Sequence, residues 1–151
     1  MESKPKNAVT TFRLRQVLAK LTKPAKGKTE PGPIKLRDAA VIELMAYGGL
    51  MPAEIVRLKR NQVQADTLSL VVVSDRRMVC AARFPRFKAA SSFWDYYMES
   101  PGDFTLPVFR GSRGNALTTR TINNIVRDAF LGKVNPMALR AYYRSNHQDG
   151  A

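Results

Sequence analysis

Cysteine is almost missing from this 151-residue sequence: Cys80 stands alone between Val79 and Ala81. A disulfide framework is therefore excluded, and a reducing compartment such as the cytoplasm is the expected setting. Histidine is equally scarce, with His147 the single example. No metal site is expected from it, and no cofactor is implied. The sequence has no Gly-rich phosphate loop, because Gly111-Ser112-Arg113-Gly114 is short and reads as a turn. No carboxylate pair is spaced for acid–base work. Long apolar runs are also lacking: residues 70–73 are far too few to cross a bilayer, so no membrane partner is expected. The opening Met1-Glu2-Ser3-Lys4-Pro5-Lys6 has no apolar stretch behind it, so no secretory signal is expected either.

What is abundant is positive charge. There are 25 Lys and Arg against 12 Asp and Glu, a formal net charge of +13. The excess is uneven: residues 1–35 carry nine of the cations against only Glu2 and Glu30. A cationic surface that neutralises phosphates releases condensed counterions, so nucleic acid is the favoured partner. An anionic membrane surface or an acidic protein would also be attracted. Hydrophobic residues make up 44% of the sequence, enough to pack one core without staples or metals.

Residues 1–8 read as a disordered basic leader and residues 9–151 as a single domain. Leu14, Val17, Leu18 and Leu21 recur at helical spacing. Residues 22–35 then hold Pro24, Gly27, Pro31, Gly32 and Pro33 among four lysines, which reads as a flexible basic linker. Residues 36–47 are apolar around most of a helix circumference and are stopped by Gly48 and Gly49. Pro52 suits the first position of a second short helix over residues 53–59. Residues 68–73 and 78–84 are β-rich, with Ser74-Asp75-Arg76-Arg77 as the turn of a hairpin. Phe87, Ala90, Trp94 and Tyr97 mark one face of a further helix. Thr118 can cap a helix with the stripe Ile122, Ile125, Val126 and Ala129, and a last helix follows Pro136. The fold class is therefore α+β, mainly α-helical, with a small antiparallel β-sheet.

The run Leu36-Arg37-Asp38-Ala39-Ala40-Val41-Ile42-Glu43-Leu44-Met45-Ala46-Tyr47-Gly48-Gly49-Leu50-Met51-Pro52-Ala53-Glu54-Ile55-Val56-Arg57-Leu58 resembles the tyrosine recombinase, or phage integrase, family. There an Arg-Asp start to an apolar helix leads to Thr-Gly-Leu-Arg and a short helix containing Glu-Leu. The stretch Pro107-Val108-Phe109-Arg110-Gly111-Ser112-Arg113-Gly114-Asn115-Ala116-Leu117-Thr118 looks like the family's lead into a later helix, and Met137-Ala138-Leu139-Arg140 stands where the family has His-x-Leu-Arg. Residues 9–21 match the helix that opens the family's catalytic domain. The resemblance implies a tyrosine-recombinase catalytic-domain-like fold.

The family's reaction is phosphoryl transfer to a tyrosine, with two arginines and a lysine neutralising the non-bridging oxygens and protonating the leaving group. On the matched positions, Met51 replaces the first arginine, Met137 the histidine, and Ala141 follows the second arginine, Arg140. A thioether carries no charge and donates no hydrogen bond to phosphate. Arg76 or Arg77 at best replaces the hairpin lysine, and a guanidinium is a poor general acid. Tyr142 and Tyr143 share the helix of Arg140, so neither stands where the nucleophile would; Tyr143 reads as core and Tyr142 as partly exposed.

The expectation is thus a non-catalytic, double-stranded-DNA-binding protein derived from this fold, an accessory or regulatory factor of a plasmid or other mobile element. A homo-oligomer or other mobile-element proteins are further partners. Candidate DNA-binding residues are Arg76 and Arg77, Lys88, Arg110 and Arg113, Arg120, Asn123, Asn124 and Arg127 on one polar helix face, and Arg140 with Arg144. Asn and Arg suit bidentate reading of base edges, although the same face also reads as simply solvated. RNA is disfavoured because Trp94 and the phenylalanines read mostly as core. The alternatives are a divergent recombinase or relaxase-like nickase using Tyr142 or Tyr143, and a basic protein-interaction module. Deleting residues 1–8 should weaken binding to every duplex alike. The slope of log affinity against log salt should shrink by roughly 0.9 per lost phosphate contact. A changed sequence preference, read by competition between duplexes, would instead make the leader a groove-reading arm.

Overall fold

The computed structural model describes residues 8–64, 69–73, 78–80, 91–100, 102–111 and 113–147. Among these, six helices and three short strands follow in order: α1 (Thr11–Leu21), α2 (Pro33–Gly48), α3 (Pro52–Arg57), β1 (Val63–Gln64), β2 (Ser69–Val73), β3 (Met78–Cys80), α4 (Ser91–Glu99), α5 (Thr119–Ala129) and α6 (Pro136–His147). A single 3-10 turn at Arg60–Gln62 joins α3 to β1. The fold is mainly helical with a small sheet, as expected.

Helix α2 is the centre. Pro33, whose fixed φ suits a first helical position, opens it three residues before the apolar run begins, so the last part of the expected 22–35 linker is helix. Leu36, Val41, Ile42, Leu44 and Met45 are buried, with Ala39, Ala40 and Ala46 letting neighbouring elements approach closely. Burying each large side chain contributes roughly 1.5–3 kcal/mol. Helices α1, α4 and α6 all pack against it. Thr10 caps α1 by accepting from the Arg13 N–H at 3.1 Å, and Thr118 caps α5 the same way from Thr121 at 3.1 Å.

The sheet has the order β1-β2-β3 and is antiparallel throughout. In register, Val63 pairs with Leu70 in the first pair of strands and Val72 with Val79 in the second. The expected hairpin is present, while its turn at residues 74–77 and the continuation over 81–84 lie outside the described residues. Strand β1, two residues long, was not expected. Beyond α3, the chain leading out of the helix pairs with a later segment: Val108 N–H donates to Leu58 O and Arg60 N–H to Leu106 O, each at 2.9 Å.

Helix α4 begins at Ser91, and its buried residues are Ser92, Phe93, Tyr96 and Tyr97, with Trp94 half-buried. The expected face through Trp94 is therefore rotated toward Phe93; Phe87 and Ala90 lie outside the described residues. Phe93, Phe109 and Phe130 are core, in line with the reading of most phenylalanines as core, while Phe12 and Phe104 are 75% and 69% exposed. The Tyr96 ring stacks on Phe109 with centroids 5.4 Å apart. At the C-terminal end of α4 the buried Arg60 guanidinium lies 4.2 Å over the Tyr97 ring and donates to the carbonyls of Tyr97 and Ser100.

The other end of α4 is held by Glu43 of α2, which accepts from the Phe93 N–H at 3.1 Å and the Ser92 N–H at 3.4 Å. Burial pushes this carboxyl up to about 7, against the lowering effect of the Ser92 and Phe93 donors, with Asp95 nearby adding to the rise. A carboxyl whose affinity for a proton is higher folded than unfolded favours the folded state at low pH. Stability should therefore fall as pH rises from the ordinary carboxylate range to about 7. Urea unfolding between pH 5 and 8 should show a decline on the order of 2–3 kcal/mol from this group. Glu43→Gln, which presents one acceptor and one donor like the protonated acid, should flatten that decline. An unchanged slope in the variant would assign it elsewhere.

Candidate nucleic-acid interface

The site is built on the turn between α2 and α3. Gly49 ends α2 in the left-handed region at φ 70°, with its N–H on Met45 O and the Leu50 N–H reaching back to Leu44 O. The space above Gly49 is filled by the Tyr143 ring of α6, into which a Cβ at this position would run. Met51 follows as the N-cap of α3, and its N–H donates to Glu54 Oε1 at 2.9 Å. Glu54 is buried, and its Oε2 has no hydrogen-bond partner among the described residues.

Helix α6 starts at Pro136, with Asn135 Oδ1 accepting from the Ala138 N–H at 2.9 Å. One turn apart along it lie Met137, 62% exposed, then Arg140, then Tyr143. This spacing brings Arg140 to Met51, where its Nη1 donates to the thioether Sδ at 2.8 Å. Thus Met51 and Arg140, which the sequence resemblance matches to the family's two arginines, are in direct contact. Asp128 pairs with Arg127 at 3.6 Å on the exposed face of α5. The two tyrosines are exchanged relative to expectation. Tyr142 is buried, its hydroxyl 3.1 Å from Thr11 Oγ1, and Tyr143 is the half-buried one. Burial raises the Tyr143 hydroxyl above the usual phenol range.

Helix α5 presents Arg120, Asn123 and Arg127 exposed and Asn124 half-buried. It stands as a ridge between two hollows. One, of about 520 Å³, is lined by Asn123, Asn124, Arg127 and Met137 together with Pro52 and Val134, and so joins the α5 face to the Met51 turn. The other, of about 490 Å³, adds Lys20, Lys35 and Arg37 from α1 and α2 across from Asn124 and Asp128. These three cations were not expected at the site. The signal for them was available, since Lys20 and Lys35 bracket the basic linker and Arg37 opens the Arg-Asp run. Arg37 pairs with Asp38 at 3.0 Å. Burial raises the Asp38 carboxyl, opposed by Arg37.

Other expected residues are less convergent. Arg110 is half-buried in a separate hollow with Tyr96 and Ser100, its Nη2 3.5 Å from Ser100 O. Arg113 and Arg144 are exposed. Arg76, Arg77 and Lys88 lie outside the described residues. Among the described residues no group of three or more His, Cys, Asp or Glu could hold a metal ion, and no helix is long and apolar enough to cross a membrane.

The fold is similar to that of solved tyrosine recombinases. The whole chain superposes on 53% of XerA recombinase with a TM-score of 0.69 at 20% identity. It also superposes on the integrase of mycobacterium phage Brujita (TM-score 0.65, 17% identity, 96% of this chain and 45% of that one). A third similar structure is a lambda integrase dimer bound to a COC′ core site (TM-score 0.65, 13% identity, 99% of this chain and 55% of that one). The chain thus spans about half the length of the recombinases it matches. At these identities the likeness is one of fold. No protein-family model matches the chain, and no curated protein is similar to it in sequence.

Arg140 is half-buried, and its one side-chain acceptor among the described residues is a weak one, a thioether. Arg140→Ala should therefore cost little stability, less than about 1 kcal/mol in a melting experiment. DNA affinity should fall by roughly 1.5–3 kcal/mol, the range for hydrogen bonds to a charged group, with Arg140→Lys recovering only part of it. A large loss of melting temperature with unchanged DNA affinity would make Arg140 a residue of the fold.

Proposed function

We propose that the chain is a non-catalytic, double-stranded-DNA-binding protein on a tyrosine-recombinase-like fold, serving a plasmid or other mobile element as an accessory or regulatory factor in the cytoplasm. The observation that carries this reading is the Met51–Arg140 contact. A phosphorane-like transition state needs preorganised cations on both sides, and here the position opposite Arg140 is an uncharged thioether. The tyrosines agree with it. Tyr142 is buried with its hydroxyl beside Thr11, and Tyr143 has its proton held more tightly than usual.

DNA binding is supported by the net charge of +13 and by the α5 ridge with Arg120, Asn123, Asn124 and Arg127. It is further supported by fold neighbours solved on DNA, the lambda integrase dimer on its core site and XerH on its difH substrate. Arg120 and Arg127 are suited to guanine edges, and Asn123 and Asn124 to adenine edges. Arg140, Arg113, Arg144, Arg110 and the hairpin residues Arg76 and Arg77, with Lys88, are assigned to phosphates. Residues 9–151 act as one unit behind the basic leader, and a homo-oligomer is the natural assembly on a two-fold site.

Incubation with supercoiled DNA, with and without divalent metal, should give salt-sensitive retardation without nicking, relaxation or a covalent adduct. Tyr142→Phe and Tyr143→Phe should retain DNA retardation. Cleavage that either substitution abolishes would overturn the non-catalytic reading and establish a divergent recombinase or nickase. Absence of retardation at low salt would favour a protein-interaction module.

A further inference from the structure

We infer that Met51 is an oxidation-sensitive modification site whose sulfoxide withdraws Arg140 from phosphate, so that peroxide lowers the protein's affinity for DNA. The inference rests on the reading above that Arg140 holds a backbone phosphate. Its starting point is the 2.8 Å separation between Arg140 Nη1 and Met51 Sδ. Sulfur in a thioether is a weak acceptor, so the guanidinium is oriented by it without being captured, and its other N–H groups have no side-chain acceptor among the described residues. Met51 is half-buried and precedes Pro52, which lines the open hollow beside α5.

In the reaction with hydrogen peroxide, the Sδ lone pair attacks one peroxide oxygen. The S–O bond forms as the O–O bond breaks, and the released hydroxide takes the proton left on the transferred oxygen and departs as water. Sulfur is oxidised and the peroxide reduced. The product is a polar sulfoxide with a strong oxygen acceptor. At 2.8 Å there is no room for that oxygen between sulfur and nitrogen, so the side chain must swing and the new oxygen meets the same donors from another direction. The sulfoxide and the phosphate then compete for one guanidinium. Met137 and Met98 are more exposed, at 62% and 70%, and serve as oxidation markers that lack this contact with Arg140.

The test uses the full chain, hydrogen peroxide and a mixed-sequence duplex oligonucleotide, with sulfoxide located by peptide mass spectrometry. Oxidised wild type should bind roughly tenfold more weakly, the size of one lost charge-assisted hydrogen bond. Met51→Leu should change by less than about twofold on the same treatment, a loss too small for a hydrogen bond to a charged group. Partially oxidised wild type, separated into DNA-bound and unbound fractions, should show Met51 sulfoxide depleted in the bound fraction, which needs no variant to fold. Methionine sulfoxide reductase should restore binding. The inference is overturned if Met51 stays reduced while Met137 and Met98 are oxidised. It is overturned equally if Met51 sulfoxide is shared evenly between the fractions, or if Met51→Leu loses as much affinity as wild type. Failure of the untreated protein to bind the duplex at low salt would instead sink the DNA-binding reading itself.

Discussion

Everything at the candidate site depends on one backbone reversal, the left-handed residue at Gly49. It ends a helix that is buried on nearly every side, and it must do so within the reach of α6. The absent Cβ leaves a flat patch of backbone on which the Tyr143 ring rests. That contact fixes the axial position of α6 against α2. One turn before Tyr143 the helix then delivers Arg140 to Met51, and one turn earlier it leaves Met137 in water. The pairing of guanidinium and thioether is thus a consequence of helix register, set several ångströms away by a residue with no side chain.

Charge inside this protein serves helix ends. Helix α4 has a carboxyl, Glu43, against its first N–H groups and a guanidinium, Arg60, against its last carbonyls. Each sign matches the partial charge that the aligned peptide dipoles leave there. Glu54 does the same for the first turn of α3. Glu43 and Arg60 come from elements distant in sequence, so the ends of α4 are tied to the core as well as capped. Exposed cations stand on α1, α2, α5 and α6, among them Arg15, Lys20, Lys35, Arg120, Arg127 and Arg144, which is why a strongly basic chain can still pack a conventional interior.

Much of the helical plan was legible because the 3.6-residue pattern is strong in α1 and α5, because the α2 stretch is apolar around most of its circumference, and because Thr118 and Pro52 sit at starts. The positions of Met51 and Arg140 were legible only as matches to a family pattern; their contact, across 89 residues of sequence, was not. Tyr142 and Tyr143 show why. Adjacent tyrosines on a helix offer no periodicity to choose between them. The choice was made by partners elsewhere, a hydroxyl on Thr11 for one and bare backbone at Gly49 for the other. Strand β1 escaped notice because two residues carry no alternation. The face of α4 was misjudged since Phe93, Trp94, Tyr96 and Tyr97 are all large, and only packing against Phe109 selects Phe93 and Tyr96.

The two hollows flanking α5 give that helix a cross-section. With its side chains an α-helix is about 10–12 Å across, and the major groove of B-form DNA is about 12 Å wide. On the proposed reading, a ridge of that width with a trough on either side would suit one groove and its two bordering strands. On the proposed reading, the troughs decide how deeply the ridge can enter. Lys20, Lys35 and Arg37 line one trough and Arg127 with Met137 the other. The first trough also holds Asp38, Asp128 and the apolar Val17, Leu21 and Ile34, so its excess of positive charge is one, the same as that of the second with Arg127. On the proposed reading the two strands bordering the groove would then be held with a similar dependence on salt, and the depth of the troughs rather than their charge would set the fit.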